Sequence, residues 1–131
     1  MFLNLMNTEE KENFLELIYK IATCDGEFAV EEEELVNNYK IELGIDTFTD
    51  TKSINELINY FSNKQLLLKK IVFFELYGMI VADGTIVDSE KSILVNLKDK
   101  FALGENAYTQ LINAVNELQK AYDSVYTSIW E

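Results

Sequence analysis

The amino-acid sequence predicts an all-α protein, a compact bundle of about six to seven helices with no sheet. The chain of 131 residues has no Pro and five Gly, which favours helices joined by short turns. Apolar residues recur at the three- and four-residue spacing of amphipathic helices. No segment sustains the alternation of apolar and polar residues that is typical of a strand.

Three helices are predicted in the first half of the chain. Each follows a residue or turn that can begin a helix, and their apolar faces have helical spacing. The predicted spans are about 8–23, 30–43 and 53–61. The predicted caps are Asn7 or Thr8 for the first helix and Thr51 or Ser53 for the third. Ile45 and Phe48 are expected to be tucked in between the second and third helices.

Three further helices are predicted in the second half, over about 64–82, 88–101 and 106–128. Asn63 and Asp88 are the predicted caps of the first two, and Gly104 is expected to end the second. The helix over 64–82 is apolar nearly all round, which predicts a buried central helix. The aromatic stripe of the last helix is expected to be mainly core, with any exposed remainder forming a dimer or partner surface.

Length and composition indicate one domain over residues 1–131. With 48% hydrophobic residues, the chain can bury a full core without disulfides or a metal. The net charge of −12 argues against nucleic acid and anionic lipid as partners, since phosphate binding needs a basic surface. It favours cations and basic protein surfaces instead.

Missing residue types exclude several kinds of chemistry and suggest a compartment. With no His, the chain lacks the usual catalytic triads and His-ligated zinc, and we expect no enzyme activity. The single Cys24 cannot form an internal disulfide, which suits the cytoplasm. Acidic residues interrupt the early apolar stretch, and Glu75 interrupts the longest one, so neither a signal peptide nor membrane insertion is expected.

A repeated element is the strongest lead to function. The segment over 22–32 returns over 80–90, and both copies carry Asp-Gly, one residue, a large apolar residue, and Glu six positions after the Gly. The surrounding similarity predicts an internal duplication of a helix–turn–helix, over about 12–45 and 70–103, with pseudo-twofold symmetry. In each copy the Asp-Gly is expected to end one helix before the next begins.

The repeated element matches the second half of an EF-hand calcium loop, in which Asp and Glu supply hard oxygen ligands around a sharp Gly turn. The first half of the loop fails, because apolar or helical residues stand where oxygen ligands are needed. Those residues are Ile21, Thr23, Met79 and Val81. A high-affinity EF-hand is therefore excluded, and a weaker, composite carboxylate site remains. Its predicted metal ligands are Asp25, Glu32, Asp83 and Glu90, and the preferred ion is Ca²⁺.

Glu75 is a further candidate ligand, because it interrupts the central apolar helix two turns before Asp83. The alternative is that Glu75 occupies a narrow exposed stripe or pairs with a lysine such as Lys70 or Lys91.

These motifs resemble those of the TerB family, which includes tellurite-resistance TerB proteins and the amino-terminal domain of DjlA-type co-chaperones. The resemblance covers about residues 8–125. The matched positions are Asp25, Gly26, Glu32, Asp83, Gly84 and Glu90, while Cys24 stands where the family usually has Ala. The resemblance implies an all-α fold of about seven helices, an acidic cluster that binds a metal ion, a link to stress or tellurite resistance, and membrane-associated partners.

Two interpretations of function follow. The first is a TerB-like acidic binding or scaffold module in a bacterial stress response, which holds a divalent cation weakly and contacts a protein partner. The second is a pure protein-interaction domain in which the Asp-Gly…Glu motifs only end and begin helices. A homodimer is compatible with both.

Overall fold

The computed structural model of the chain describes residues 1–24, 30–82 and 85–131. Within these ranges the backbone forms α-helices and a short 3-10 helix, Leu3–Leu5, and contains no strand. The α-helices are α1 (Thr8–Ala22), α2 (Val30–Leu43), α3 (Ile54–Ser62), α4 (Leu66–Val81), α5 (Asp88–Phe101) and α6 (Gly104–Trp130). The predicted all-α class is confirmed. The internal duplication stays a prediction.

α1 and α3 begin where the sequence predicts, because each starts with a capping box. In α1 the Glu10 amide donates to Asn7 Oδ1 at 2.8 Å, and the Asn7 amide donates to Glu10 Oε1 at 2.9 Å. Ser53 and Glu56 make the same exchange in α3, at 3.1 and 3.3 Å. Each box satisfies amides that have no partner within the helix, which fixes the start of the helix.

The starts of α4 and α5 differ from the prediction. Asn63 follows the end of α3 rather than capping α4, and its side chain donates to the Asn59 carbonyl at 2.9 Å. α4 begins after Gln65, whose side chain makes no capping bond. Asp88 is the first helical residue of α5, and Val87 occupies the cap position. A polar residue near a junction between helices indicates that a helix begins nearby, but it does not identify the first residue of that helix.

The junction between α5 and α6 also departs from the prediction. Gly104 does not end α5 but is the first residue of α6, with a φ of 79°. α5 ends at Phe101, and Ala102 takes the left-handed conformation with a φ of 50°. Leu103 lies between the two left-handed residues, and α6 begins two residues earlier than predicted.

The core is formed where α1 packs on α2 and α3, and where α4 packs on α3, α5 and α6. Its largest fully buried side chains are Phe14, Phe61, Phe73 and Phe101. From Ile71 onward, α4 supplies much of this core, as predicted for a central helix, but its first turn does not, since Leu66 and Leu67 are 49% and 62% exposed. None of the helices in the described ranges has both the length and the apolar composition needed to span a membrane.

The connection between α2 and α3 is held by a buried acid, Glu16, that has no distinctive local signal in the sequence. Glu16 is 1% exposed, and its Oε2 accepts the amides of Thr51 and Lys52 at 3.0 and 2.7 Å. Lys52 Nζ lies 3.7 Å from the other carboxylate oxygen. Phe48 is half-buried in this connection, as predicted, with its ring 5.1 Å from that of Tyr19.

Candidate functional site

A cavity of about 390 Å³ lies where the two predicted copies of the helix–turn–helix approach one another. Its walls are the end of α1, the first half of α2, the end of α4 and the beginning of α5. The acids on its wall are Glu31, Glu32 and Glu90, and we call it the acidic cavity. The structure therefore places two of the predicted ligands, one from each predicted copy, on a single cavity.

Glu32 stands in the first turn of α2 and is half-buried. Its neighbours Glu31, Glu33 and Glu34 are exposed, so the run of four acids is a solvated helix start except at this residue. Glu32 Oε2 is itself buried and has no hydrogen-bond partner among the described residues. Because a buried, unpartnered carboxylate oxygen is costly to remove from water, this oxygen needs a partner that the described side chains and backbone do not supply.

Glu90 makes a structural bond that Glu32 does not. Its Oε1 accepts the Val87 amide at 3.1 Å, which satisfies a free amide at the start of α5. This bond fits the interpretation of the motif as a helix start. The bond takes one of the roughly four lone-pair positions that two carboxylate oxygens offer.

The two predicted copies also touch directly beside the acidic cavity. The free thiol of Cys24 donates to Ser89 Oγ at 3.5 Å. Cys24 is half-buried and lines the cavity. The contact joins the end of α1 to the first turn of α5, and thus brings the residue before Asp25 next to the residue before Glu90.

Asp25 and Asp83, with Gly26 and Gly84, lie outside the described residues. The role predicted for them, as ligands and as helix ends, therefore stays a prediction. In the sequence each Asp directly follows a residue on the cavity wall, Cys24 or Ala82. Within the described ranges alone, no group of three Asp, Glu or Cys side chains could hold a metal ion.

Glu75 lies on a neighbouring cavity of about 460 Å³ between α2, α4 and α6. Its side chain is 10% exposed, so it does not form the exposed stripe that the sequence offered as an alternative. Its partners are also different, because the Tyr39 hydroxyl donates to Oε2 at 3.3 Å and the Met1 amine to Oε1 at 2.8 Å. Leu35, Met79 and Ala82 line both cavities.

The environment of Glu75 changes the acidity of both partners. Burial raises the pKa of the Tyr39 hydroxyl well above its ordinary value, and the nearby Glu75 carboxylate raises it further. Burial lowers the pKa of the Met1 amine, but its bonds to Glu75 and Glu42 outweigh this and raise it. In the sequence, only Glu75 points to this cluster, because it is an acid inside an apolar helix. Tyr39 follows the apolar pattern of α2 and therefore resembles a core residue.

The donor set of the acidic cavity suits a hard cation. Carboxylate oxygens are the ligands that Ca²⁺ and Mg²⁺ prefer, and the cavity lies on a chain of net charge −12 that attracts cations. Comparisons of this chain with protein-family models, with curated proteins and with solved structures find no match.

Proposed function

We propose that this chain is a TerB-like acidic binding module that holds a divalent cation weakly in the acidic cavity. The observation that carries the proposal is Glu32 Oε2, which is buried without a partner among the described residues and belongs to a cavity that Glu90 also lines. Glu32 and Glu90 supply oxygen ligands from the two copies, and Asp25 and Asp83 supply the others. The ion, with Ca²⁺ preferred, stabilises the meeting point of the copies.

In this proposal the cation supports a scaffold rather than a reaction. The acidic surface binds a basic face of a protein partner, which can be membrane-associated, in a cytoplasmic bacterial stress response of the tellurite-resistance type. Weak binding is expected, because neither copy has the first half of a calcium loop and the described carboxylates alone do not form a complete group.

A second candidate is a protein-interaction domain in which the motifs are structural only. The bond from the Val87 amide to Glu90 Oε1 favours it, since this bond gives Glu90 a role at the start of α5 without any ion. In that case a cation changes stability only by screening the acidic surface, to the same extent as another salt of equal ionic strength.

Calcium titration, followed by calorimetry and by thermal unfolding, separates the two candidates. We expect a binding isotherm at up to millimolar Ca²⁺ and a rise in melting temperature larger than that given by KCl of equal ionic strength. The double variant Glu32→Gln with Glu90→Gln should lose both signals, as should Asp25→Asn with Asp83→Asn.

The matched control is Glu33→Gln with Glu34→Gln, which removes the same charge from exposed positions of α2. This variant should keep the isotherm. An isotherm that is absent in the wild-type chain, or equally weakened in the control, would remove the cation from the proposal and leave the interaction domain.

A further inference from the structure

α6 carries an apolar stripe from Leu111 to Ile129. Positions of the stripe are spaced alternately by four and three residues, which is the spacing of a coiled-coil seam. They are Leu111, Val115, Leu118, Tyr122, Val125 and Ile129. The first half of the stripe is used within the chain, because Val115 is buried and α6 packs on α4 there.

The contact between α6 and α4 ends near Gln119, whose side chain donates to the carbonyl of Val81, the last residue of α4, at 2.9 Å. Beyond it, residues 120–130 continue as helix for about 16 Å, at about 1.5 Å per residue. Every residue of this second half is exposed. The large apolar side chains among them are Tyr122, Val125, Tyr126, Ile129 and Trp130, exposed by 63%, 56%, 66%, 70% and 72%.

The exposed area is close to what a stable interface requires. An aromatic side chain presents about 150–250 Å². With the exposed fractions above, the three aromatic and two aliphatic side chains offer on the order of 600 Å². A standard interface buries about 800 Å² on each partner. The cavity of about 460 Å³ that Glu75 lines lies at the base of the second half, and we call it the groove. Gly78, Met79 and Leu118 on its wall supply further apolar surface.

The charges of α6 determine which partner this surface suits. The whole chain is strongly acidic, which opposes contact between copies on most of its surface. The residues that flank the exposed stripe are uncharged, however: Gln119, Ala121, Tyr126 and Ser128. Glu117 and Lys120 stand on other faces of the helix, and Asp123 stands beside the stripe on the wall of the cavity that Leu118 and Tyr122 also line. At the seam positions and at the four flanking positions, a second chain therefore meets no like charge, and a basic partner finds no acid.

We propose that two copies of this chain pair through the exposed halves of α6, with the helices antiparallel. In a parallel pair the two α4-covered halves would lie side by side at the same level and obstruct one another. In an antiparallel pair they lie at opposite ends. The seam spacing then sets Tyr122 opposite the partner's Val125, and Leu118 opposite the partner's Ile129.

This register also fills the groove at the base of the exposed half. Since Leu118 lines the groove, the partner's Ile129 and the partner's Trp130 lie over it. Each chain of the pair thereby covers the groove of the other chain. The interface is the same on both sides, as twofold symmetry requires. Met79 lines both this groove and the acidic cavity, but the pairing uses none of the carboxylates of the acidic cavity and does not depend on the proposed function.

The oligomeric state in EDTA tests the pairing. Light scattering after size exclusion, over a concentration series, should give twice the chain mass of 15.1 kDa at the upper end. The variant Val125→Glu with Ile129→Glu should give the single mass. The control Ser124→Glu with Thr127→Glu adds the same charge outside the stripe and should stay dimeric. Circular dichroism and a cooperative melt confirm that each variant is folded.

A chain that is monomeric at every concentration would overturn the pairing, and so would a dimer that the stripe variant leaves intact. A monomer would leave the stripe to a different protein. Orientation is tested in a Cys24→Ser background by mixing chains that carry Tyr122→Cys with chains that carry Val125→Cys. Mixed disulfides are expected. Disulfides only between identical chains would overturn the antiparallel arrangement.

Discussion

Cys24 and Ser89 are 65 residues apart in the chain, yet the Cys24 thiol donates to Ser89 Oγ at 3.5 Å. The contact joins the end of α1 to the first turn of α5, and each residue directly precedes a predicted ligand, Asp25 or Glu90. The acidic cavity is therefore bounded by both predicted copies and belongs to neither alone. A motif that supplies half of a calcium loop is insufficient by itself, but two such halves that face one cavity offer carboxylates from both sides.

The Cys24 thiol can report occupation of the acidic cavity, because it is the single Cys of the chain and lines the cavity wall. An ion held between Glu32 and Glu90 should restrict access to the thiol and slow its alkylation several-fold. The measurement is the rate of reaction with iodoacetamide, with and without millimolar Ca²⁺. Glu32→Gln with Glu90→Gln should abolish the difference. Equal rates in the wild-type chain, with and without Ca²⁺, would contradict an ion at this position.

Glu16 is expected to be a major determinant of stability. In Glu16→Ala the amides of Thr51 and Lys52 lose a charged acceptor that is 1% exposed. Since a hydrogen bond to a charged group contributes about 1.5–3 kcal/mol, the free energy of unfolding should fall by about 3 kcal/mol. Urea unfolding measures the change. Glu12→Ala, at an exposed position of the same helix, should stay within about 0.5 kcal/mol of the wild type.

The contrast between Asn7 and Glu16 shows how far the sequence predicts this fold. Asn7 acts on an amide three residues away, so its signal is complete within one turn of α1 and could be read directly. Glu16 acts on amides 35 and 36 residues away. In the sequence it is only one more acid on an amphipathic helix. Local signals therefore predicted the helices, while the long-range bonds that position the connections had to come from the structure.

The candidate site likewise combines features that the sequence predicts with features that only the structure shows. Alignment of the two copies set Glu32 and Glu90 at equivalent positions, because spacing along the chain is local information. It did not indicate that both line one cavity or that Glu90 also bonds the Val87 amide. Glu75 is recognisable in the sequence as an acid in an apolar helix, but its partner Tyr39 has the helical spacing of a core residue. Only the packing of α2 on the rest of the fold brings the two together.

Tyr39 should make the protein less stable at alkaline pH. Its hydroxyl titrates at about pH 10 when the chain is unfolded, whereas burial raises its pKa in the folded protein. Above pH 10 the unfolded state therefore loses a proton that the folded state retains, and the free energy of unfolding falls by about 1.4 kcal/mol per pH unit from this group. Below pH 10 both states are protonated and the effect disappears.

Tyr39→Phe isolates this contribution from those of other tyrosines and lysines. Chemical unfolding of the two proteins from pH 8 to pH 11.5 should show a steeper loss in the wild type. At pH 8 the variant should be less stable by about 1 kcal/mol, since Glu75 loses one donor. Parallel pH profiles for the two proteins would contradict the assignment.

Ala102 is a position where a smaller residue should stabilise the fold. Its φ of 50° lies in the left-handed region, which costs an L-residue with a Cβ about 1 kcal/mol or more, and its side chain is exposed. In Ala102→Gly this cost is removed and no packing is lost, so the free energy of unfolding should rise by about 0.5–1 kcal/mol despite the greater freedom of Gly in the unfolded chain. Urea unfolding of Ala114→Gly provides the control, because Ala114 is exposed within regular helix and the same change there should cost about 1 kcal/mol. We expect the free energy of unfolding to rise in Ala102→Gly and to fall in Ala114→Gly. A fall in both variants would mean that the left-handed conformation of Ala102 is not strained.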